Sequence, residues 1–252
     1  MIHKTFTVDG SPDVEVRIES GRVELRGGEP GTVNVTVDTK SPDFIVEQRG
    51  NSILASSDKA TPWLSRGSAY VVIESPAGSD LRVGVASAPV RADIPLGKVD
   101  IKTASGDIEL VSAESLTVKT ASGDTDIDHV EHALSFTSAS GDLRIRESCH
   151  GSAAVSTASG DVYIEASDAS VNFNTASGDL RIARYTGRNA SFKGMSGSID
   201  LGIPRRSEVS LDVNLLSGKL RLPDPEPREG DPERQVSIRA KLVSGDMTIE
   251  RV

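Results

Sequence analysis

Leu134-Ser135-Phe136-Thr137-Ser138-Ala139-Ser140-Gly141-Asp142-Leu143-Arg144-Ile145 decides how this chain is read. Leu134, Phe136 and Ser138 alternate with polar neighbours, a short corner follows, and Leu143 and Ile145 resume the alternation. Alternation of period two, bounded by Ser-Gly-Asp, marks strands with one buried face. The corner recurs as Thr103-Ala104-Ser105-Gly106-Asp107, Thr120-Ala121-Ser122-Gly123-Asp124, Thr157-Ala158-Ser159-Gly160-Asp161 and Thr175-Ala176-Ser177-Gly178-Asp179. Looser copies stand at Ser196-Gly197-Ser198, Ser217-Gly218-Lys219 and Ser244-Gly245-Asp246. From Gly106 the corner glycines are spaced 17, 18, 19, 18, 19, 21 and 27 residues.

A period of about 18 residues is too short for a propeller blade of about 40. It suits one coil of a single-stranded parallel β-helix, in which each strand pairs with its copy about 4.8 Å along the axis. The expectation is an all-β solenoid, right-handed, with glycine supplying positive φ at each corner while Ser and Asp bond nearby amides. Arg181 and Asp200 should then face one another on successive coils, as should Asp126 and Arg144.

Outside the regular series, residues 1–80 read as irregular β-rich coils that cap the core, and 81–252 as the regular stack, the whole forming one continuous domain. Gly50-Asn51, between Phe44-Ile45-Val46 and Ile53-Leu54, reads as a tight turn. Pro223 to Arg234 carries no apolar residue outside its prolines and reads as a solvated excursion. Trp63 reads as a lid residue.

The composition narrows the function. Hydrophobic residues make up 37% and aromatics 4%, enough for a narrow aliphatic core and too little for a wide one. The net charge of -9 speaks against a nucleic-acid surface, where Lys and Arg dominate affinity. Cys149 is the single cysteine, so no intrachain disulfide can form. No apolar leader precedes the first strand and no stretch approaches the roughly 20 residues of a membrane span. The expectation is a cytoplasmic protein with no membrane span.

The Ser-Gly-Asp series, entered through Val72-Ile73-Glu74-Ser75-Pro76-Ala77-Gly78-Ser79-Asp80-Leu81, resembles the bacterial β-strand-repeat proteins labelled adhesins. The resemblance spans essentially the whole chain. It implies a β-solenoid and transfers no catalytic site; relatives with signal or membrane segments belong to cell-envelope stress systems.

Two polar sets are candidates for chemistry. Glu131-His132 and Cys149-His150 stand eight and nine residues after their corner glycines and should stack, with His129 and Asp168 nearby. A Cys, His and carboxylate set can bind zinc or form a thiol–imidazole pair; the alternative is a solvated polar loop. Asp107, Asp124, Asp142, Asp161 and Asp179 form an aspartate ladder that either binds calcium or caps the corners. Stacked carboxylates repel by about 1 kcal/mol per neighbour even in water, so something must offset them. The expectation is no enzyme, no metal and no cofactor. Sugar binding favours exposed aromatics, and Tyr163 is the single outward candidate in the repeats.

The remaining reading is a non-catalytic scaffold or protein-interaction module, with an envelope-associated adhesin-like or polysaccharide-binding module as the alternative. An open apolar end needs a cap. The expectation is that the C-terminal end of the stack exposes Leu242, Val243, Met247 and Ile249, an interface for a protein partner or for a two-fold homodimer.

Overall fold

The computed structural model describes residues 1–57, 68–223 and 231–252. Trp63 and most of the proline-rich excursion, 224–230, lie outside the described residues. Two compact units divide the chain, Met1–Ile127 and Asp128–Val252. Among the described residues there are strands and no helix.

The first unit contains β1 (Ile2–Thr7), β2 (Asp13–Ile18), β3 (Ser20–Gly27), β4 (Thr32–Thr39), β5 (Ile45–Arg49), β6 (Ser52–Ser56), β7 (Ser68–Ser75), β8 (Asp80–Val85), β9 (Val90–Lys102) and β10 (Ile108–Thr120). Alternation places the aliphatic side chains on one face, and parallel pairing stacks them. Val16 faces Val83, Val83 faces Ile101, and Ile101 faces Val118, all buried. Burying each such side chain stabilises the fold by roughly 1.5–3 kcal/mol.

The coils are not stacked in chain order. β2 pairs with both β6 and β8, and β3 with both β7 and β9, always parallel. The first coil of the chain therefore lies between the coil made by β6 and β7 and the coil made by β8 and the start of β9. Beyond β7 the sheet continues through antiparallel β4 and then β1, and beyond β6 through antiparallel β5. The β5–β6 connection is Gly50-Asn51, with Gly50 at φ 62°, the left-handed conformation a two-residue turn requires.

The division between the units falls inside β11 (Thr125–Ser138). The second unit continues with β12 (Leu143–Cys149), β13 (Ser152–Thr157), β14 (Val162–Ser167), β15 (Ser170–Thr175), β16 (Leu180–Tyr185), β17 (Asn189–Gly194), β18 (Ile199–Ile203), β19 (Ser207–Ser217), β20 (Leu220–Arg221), β21 (Arg234–Ser244) and β22 (Met247–Arg251). Every described pairing on its two ladders is parallel. One ladder runs β11, β13, β15, β17, β21, β19; the other runs β12, β14, β16, β18, β22, β20. Arg181 faces Asp200 across β16 and β18.

This order inverts the sequence at the far end. The last coil of the chain, β21 and β22, is slotted between the β17–β18 coil and the β19–β20 coil. The stack ends at residues 207–221, not at Val252. Leu242 and Met247, expected at an open end, are buried with a strand on either side, Ile249 is buried beside Leu201 of β18, and of that set only Val243 is exposed.

Candidate functional site

The corners explain their own residues. Inside the turn the Thr157 hydroxyl accepts a hydrogen bond from the Gly160 N–H at 2.7 Å, and Thr103, Thr120, Ser138 and Thr175 do the same for Gly106, Gly123, Gly141 and Gly178. Each of these hydroxyls satisfies an amide that could find no other partner in the bend. Ser159 and Ser177 donate their hydroxyls to the carbonyls of Ala139 and Ala158 on the preceding coil.

The corner glycine answers a demand for space rather than for positive φ. Gly106, Gly123, Gly160 and Gly178 lie outside the left-handed region. A Cβ built on Gly178 would stand 2.1 Å from the Gly160 carbonyl oxygen. Only the looser corners at Gly197, Gly218 and Gly245 combine this crowding with positive φ.

The aspartate ladder is a set of backbone caps. Within the second unit Asp142 Oδ1 accepts the Asp161 N–H at 2.8 Å, Asp161 Oδ1 the Asp179 N–H at 2.9 Å, and Asp179 Oδ1 the Ser198 N–H at 2.6 Å. In the first unit Asp107 Oδ1 accepts the Asp124 N–H at 3.1 Å. One amide per carboxylate offsets the repulsion between neighbours. Two further members lie outside the regular series: Asp80 accepts the Lys98 N–H, and Asp246 accepts the Lys219 N–H.

The histidine patch assembles differently from its spacing. The pairing of β12 with β14 slips between Ile145 and Ser148, so counting from the corner glycine no longer gives the register. His150 N–H donates to the Val130 carbonyl, and the ring near His150 is that of His129, centroid to centroid 5.1 Å. His132 instead presents its carbonyl to Gly151, where a Cβ would lie 2.0 Å away. His129 is hydrogen bonded to Ser148 and, at 2.6 Å, to Glu131, which holds the Glu131 carboxyl below its ordinary value. His150 Nδ1 lies 2.9 Å from Asp168 Oδ1.

Cys149 belongs to the other face. Its side chain is 0% exposed in the core, and burial, with a smaller contribution from Asp168, pushes the thiol up to about 12. A neutral buried thiol is neither nucleophile nor metal ligand. The proposed set of Glu131, His132, Cys149 and His150 does not converge. Among the described residues no group of three His, Cys, Asp or Glu side chains could hold a metal ion.

One exposed feature of the second unit is apolar. The second corner position is alanine at Ala139, Ala158 and Ala176, but Met195, Val243 and Leu216 occupy it on the last three coils of the stack. Leu215 and Gly194 both face Leu242, and the Met195 carbonyl accepts the Ser244 N–H, so the three side chains follow one another along the corner. They are 65%, 49% and 79% exposed, and Leu220 and Leu222 are exposed beside them. Met195 had no place in the sequence argument, although the alanine-to-methionine change at a fixed repeat position was visible there.

Coils of period near eighteen, parallel ladders and ladder-capped corners define a β-solenoid of the repeated-strand class. The chain belongs to the family described as Toastrack DUF4097, whose pattern matches residues 13–250. Its fold is similar to that of a "putative lipid binding protein" from Parabacteroides distasonis, at TM-score 0.57 and 14% identity over 97% of this chain and 96% of that one. It is also similar to that of a "putative adhesin" from Parabacteroides merdae, at TM-score 0.51 and 12% identity over 98% and 95%. No curated protein matches the chain. Among the described residues no helix is long and apolar enough to cross a membrane.

Proposed function

We propose that the chain is a non-catalytic protein-interaction module, and that the corner formed by Met195, Val243 and Leu216 is where it meets its partner. The observation that carries this reading is the replacement of a repeated alanine by three large, exposed apolar side chains on adjoining coils. Scattered exposed hydrophobics are ordinary; a contiguous row at one repeat position is not. The polar candidates favour no reaction: the aspartates cap amides, the cysteine is buried, and His129 and His150 are held by Glu131 and Asp168.

A photo-crosslinking residue placed at Leu216, in the native host, tests it. Discrete protein adducts at 216, absent when the same probe replaces Glu109, are expected. No adduct at 216 overturns the reading. The names of the two structural neighbours favour a second reading, an adhesin-like module of the cell envelope. Adducts confined to lipid or glycan would select it.

A further inference from the structure

We infer that the β19–β20 coil is a self-association edge, on which a second copy of this chain docks by pairing β19 with β19 about a two-fold axis. The inference rests on the interaction-module reading and deepens it at one end of the exposed corner, where Leu216 on the outermost coil would meet a second copy.

The argument starts from what the last coil lacks. β21 is sandwiched, pairing with β17 on one edge and β19 on the other, and its inward residues Val236, Ile238, Ala240 and Leu242 are buried. β19 repeats the same alternation with Val209, Leu211, Val213 and Leu215, yet each of these is only half-buried. Leu220 sits at the position of Met247 but is exposed where Met247 is buried. Among the described residues β19 pairs with β21 alone and β20 with β22 alone. The core of the second unit thus ends on an apolar layer whose outer backbone edge has no described partner. A row of unpaired N–H and C=O groups is a template for another strand.

The first unit treats its outermost parallel coil differently. There the edges of β7 and β6 are covered by antiparallel strands, β4 and β5. The occupant of the β19 edge must be a strand with alternating apolar residues and a free edge of its own. β19 meets that description, and like patches meeting about a two-fold give a closed pair.

Register and charge agree with this choice. Antiparallel pairing centred on Val213 sets Leu211 opposite Leu215, Asp212 opposite Asn214, and Ser210 opposite Leu216. No like charges meet, and the apolar face stays on one side. A register centred on Asp212 would place two carboxylates opposite one another, which is destabilising. Around the edge, Glu208, Asp212 and Asp246 are interspersed with Lys219, Arg221, Arg239 and Lys241, so two copies of an acidic protein approach through a mixed surface.

Sedimentation of the full chain at tens of micromolar tests the inference, together with Val213→Cys under mild oxidation. Cys149 is buried, so the new thiol is the reactive one. A dimer in the unsubstituted chain, a disulfide-linked pair from Val213→Cys, and dissociation by Leu211→Lys or Val213→Lys are expected. Should either lysine variant fail to fold, Leu216→Lys, at a largely exposed position opposite the partner's Ser210 in this register, serves instead. A strictly monomeric chain, or a dimer that survives these lysine changes, overturns the inference. Foreign-protein adducts at Leu216 on a monomeric chain would end it while leaving the interaction-module reading standing.

Discussion

The α-carbon of Gly160 abuts the carbonyl of Gly141, so closely that a Cβ at Gly160 would stand 2.1 Å from the Gly141 oxygen. The neighbour is backbone, held by the coil on which Gly160 rests, and it cannot rotate aside. Gly160→Ala should therefore cost about 1–3 kcal/mol, the usual penalty of overpacking, although alanine is ordinarily harmless at this φ. Arg144→Ala removes only a guanidinium lying 5.6 Å from the centroid of the Tyr163 ring, worth about 0.5–1 kcal/mol at an exposed site. Chemical denaturation separates the two; equal midpoints would refute the crowding argument.

Thr157 supplies the matching polar test. Its hydroxyl is the acceptor for the Gly160 N–H inside the corner. Thr157→Val keeps the shape and orphans a buried amide, which costs about 1–3 kcal/mol. Thr157→Ser keeps the acceptor, as Ser138 does naturally, and should cost clearly less. Thermal melts of the two variants decide whether the hydroxyl or the methyl matters.

The aspartates should behave as caps. Asp161→Asn retains an oxygen that can accept the Asp179 N–H, whereas Asp161→Ala does not. The alanine variant should be the less stable, by about 1 kcal/mol. Millimolar calcium should leave the melting temperature of the parent chain unchanged. A large calcium-dependent rise, abolished in Asp161→Asn, would show that the ladder binds the ion.

The repeated corner was legible because it is local: its Ser, Gly and Asp serve residues at most one coil away, and the period makes each coil predict the next. The order of the coils was not. That order depends on which distant strands find each other, and two interior placements, β2–β3 and β21–β22, break it. For β21–β22 its trace is the long 27-residue spacing between Gly218 and Gly245. The histidine patch was misread for a related reason. A bulge near Ser148 moves the register, and spacing arguments assume none. Positive φ holds at Gly197, Gly218 and Gly245 but not at Gly106, Gly123, Gly160 and Gly178: crowding and positive φ select the same residue.

Alkali should expose the buried thiol. Cys149 has its pKa raised by burial from 9.0 to about 12, and burial also raises that of the Tyr185 hydroxyl, which reaches the carbonyls of Ala169 and Asn189. A group whose folded pKa is raised contributes fully below its unfolded pKa and loses that contribution as pH climbs. Stability should hold to about pH 9 and then fall toward pH 12. Cys149→Ala should flatten the early part of the decline. Iodoacetamide should label Cys149 only as fast as the chain opens; prompt labelling of the native protein would contradict the core placement.

Hydrogen exchange tests the inverted order of the last coils. In a stack built in chain order, protection would fall toward the C-terminus, and β21 and β22 would exchange first. Here β21 has a strand on each edge and β19 a described strand on only one. Amides of Val236, Ile238 and Ala240 should therefore be protected more strongly than those of Val209, Leu211 and Leu215, which precede them in the chain. The comparison belongs on the Val213→Lys variant, so that self-association does not shield the β19 edge. Substitution should report the same contrast: Ile238→Ala opens a cavity in a sandwiched layer and costs about 2–5 kcal/mol, while Leu211→Ala, at a half-buried position, costs clearly less. Met247→Asp and Ile249→Asp should unfold this end of the stack outright, because an unpaired carboxylate would be forced into the buried core. Fast exchange throughout β21 with a protected β19 would restore the chain-order stack and remove the open edge with it.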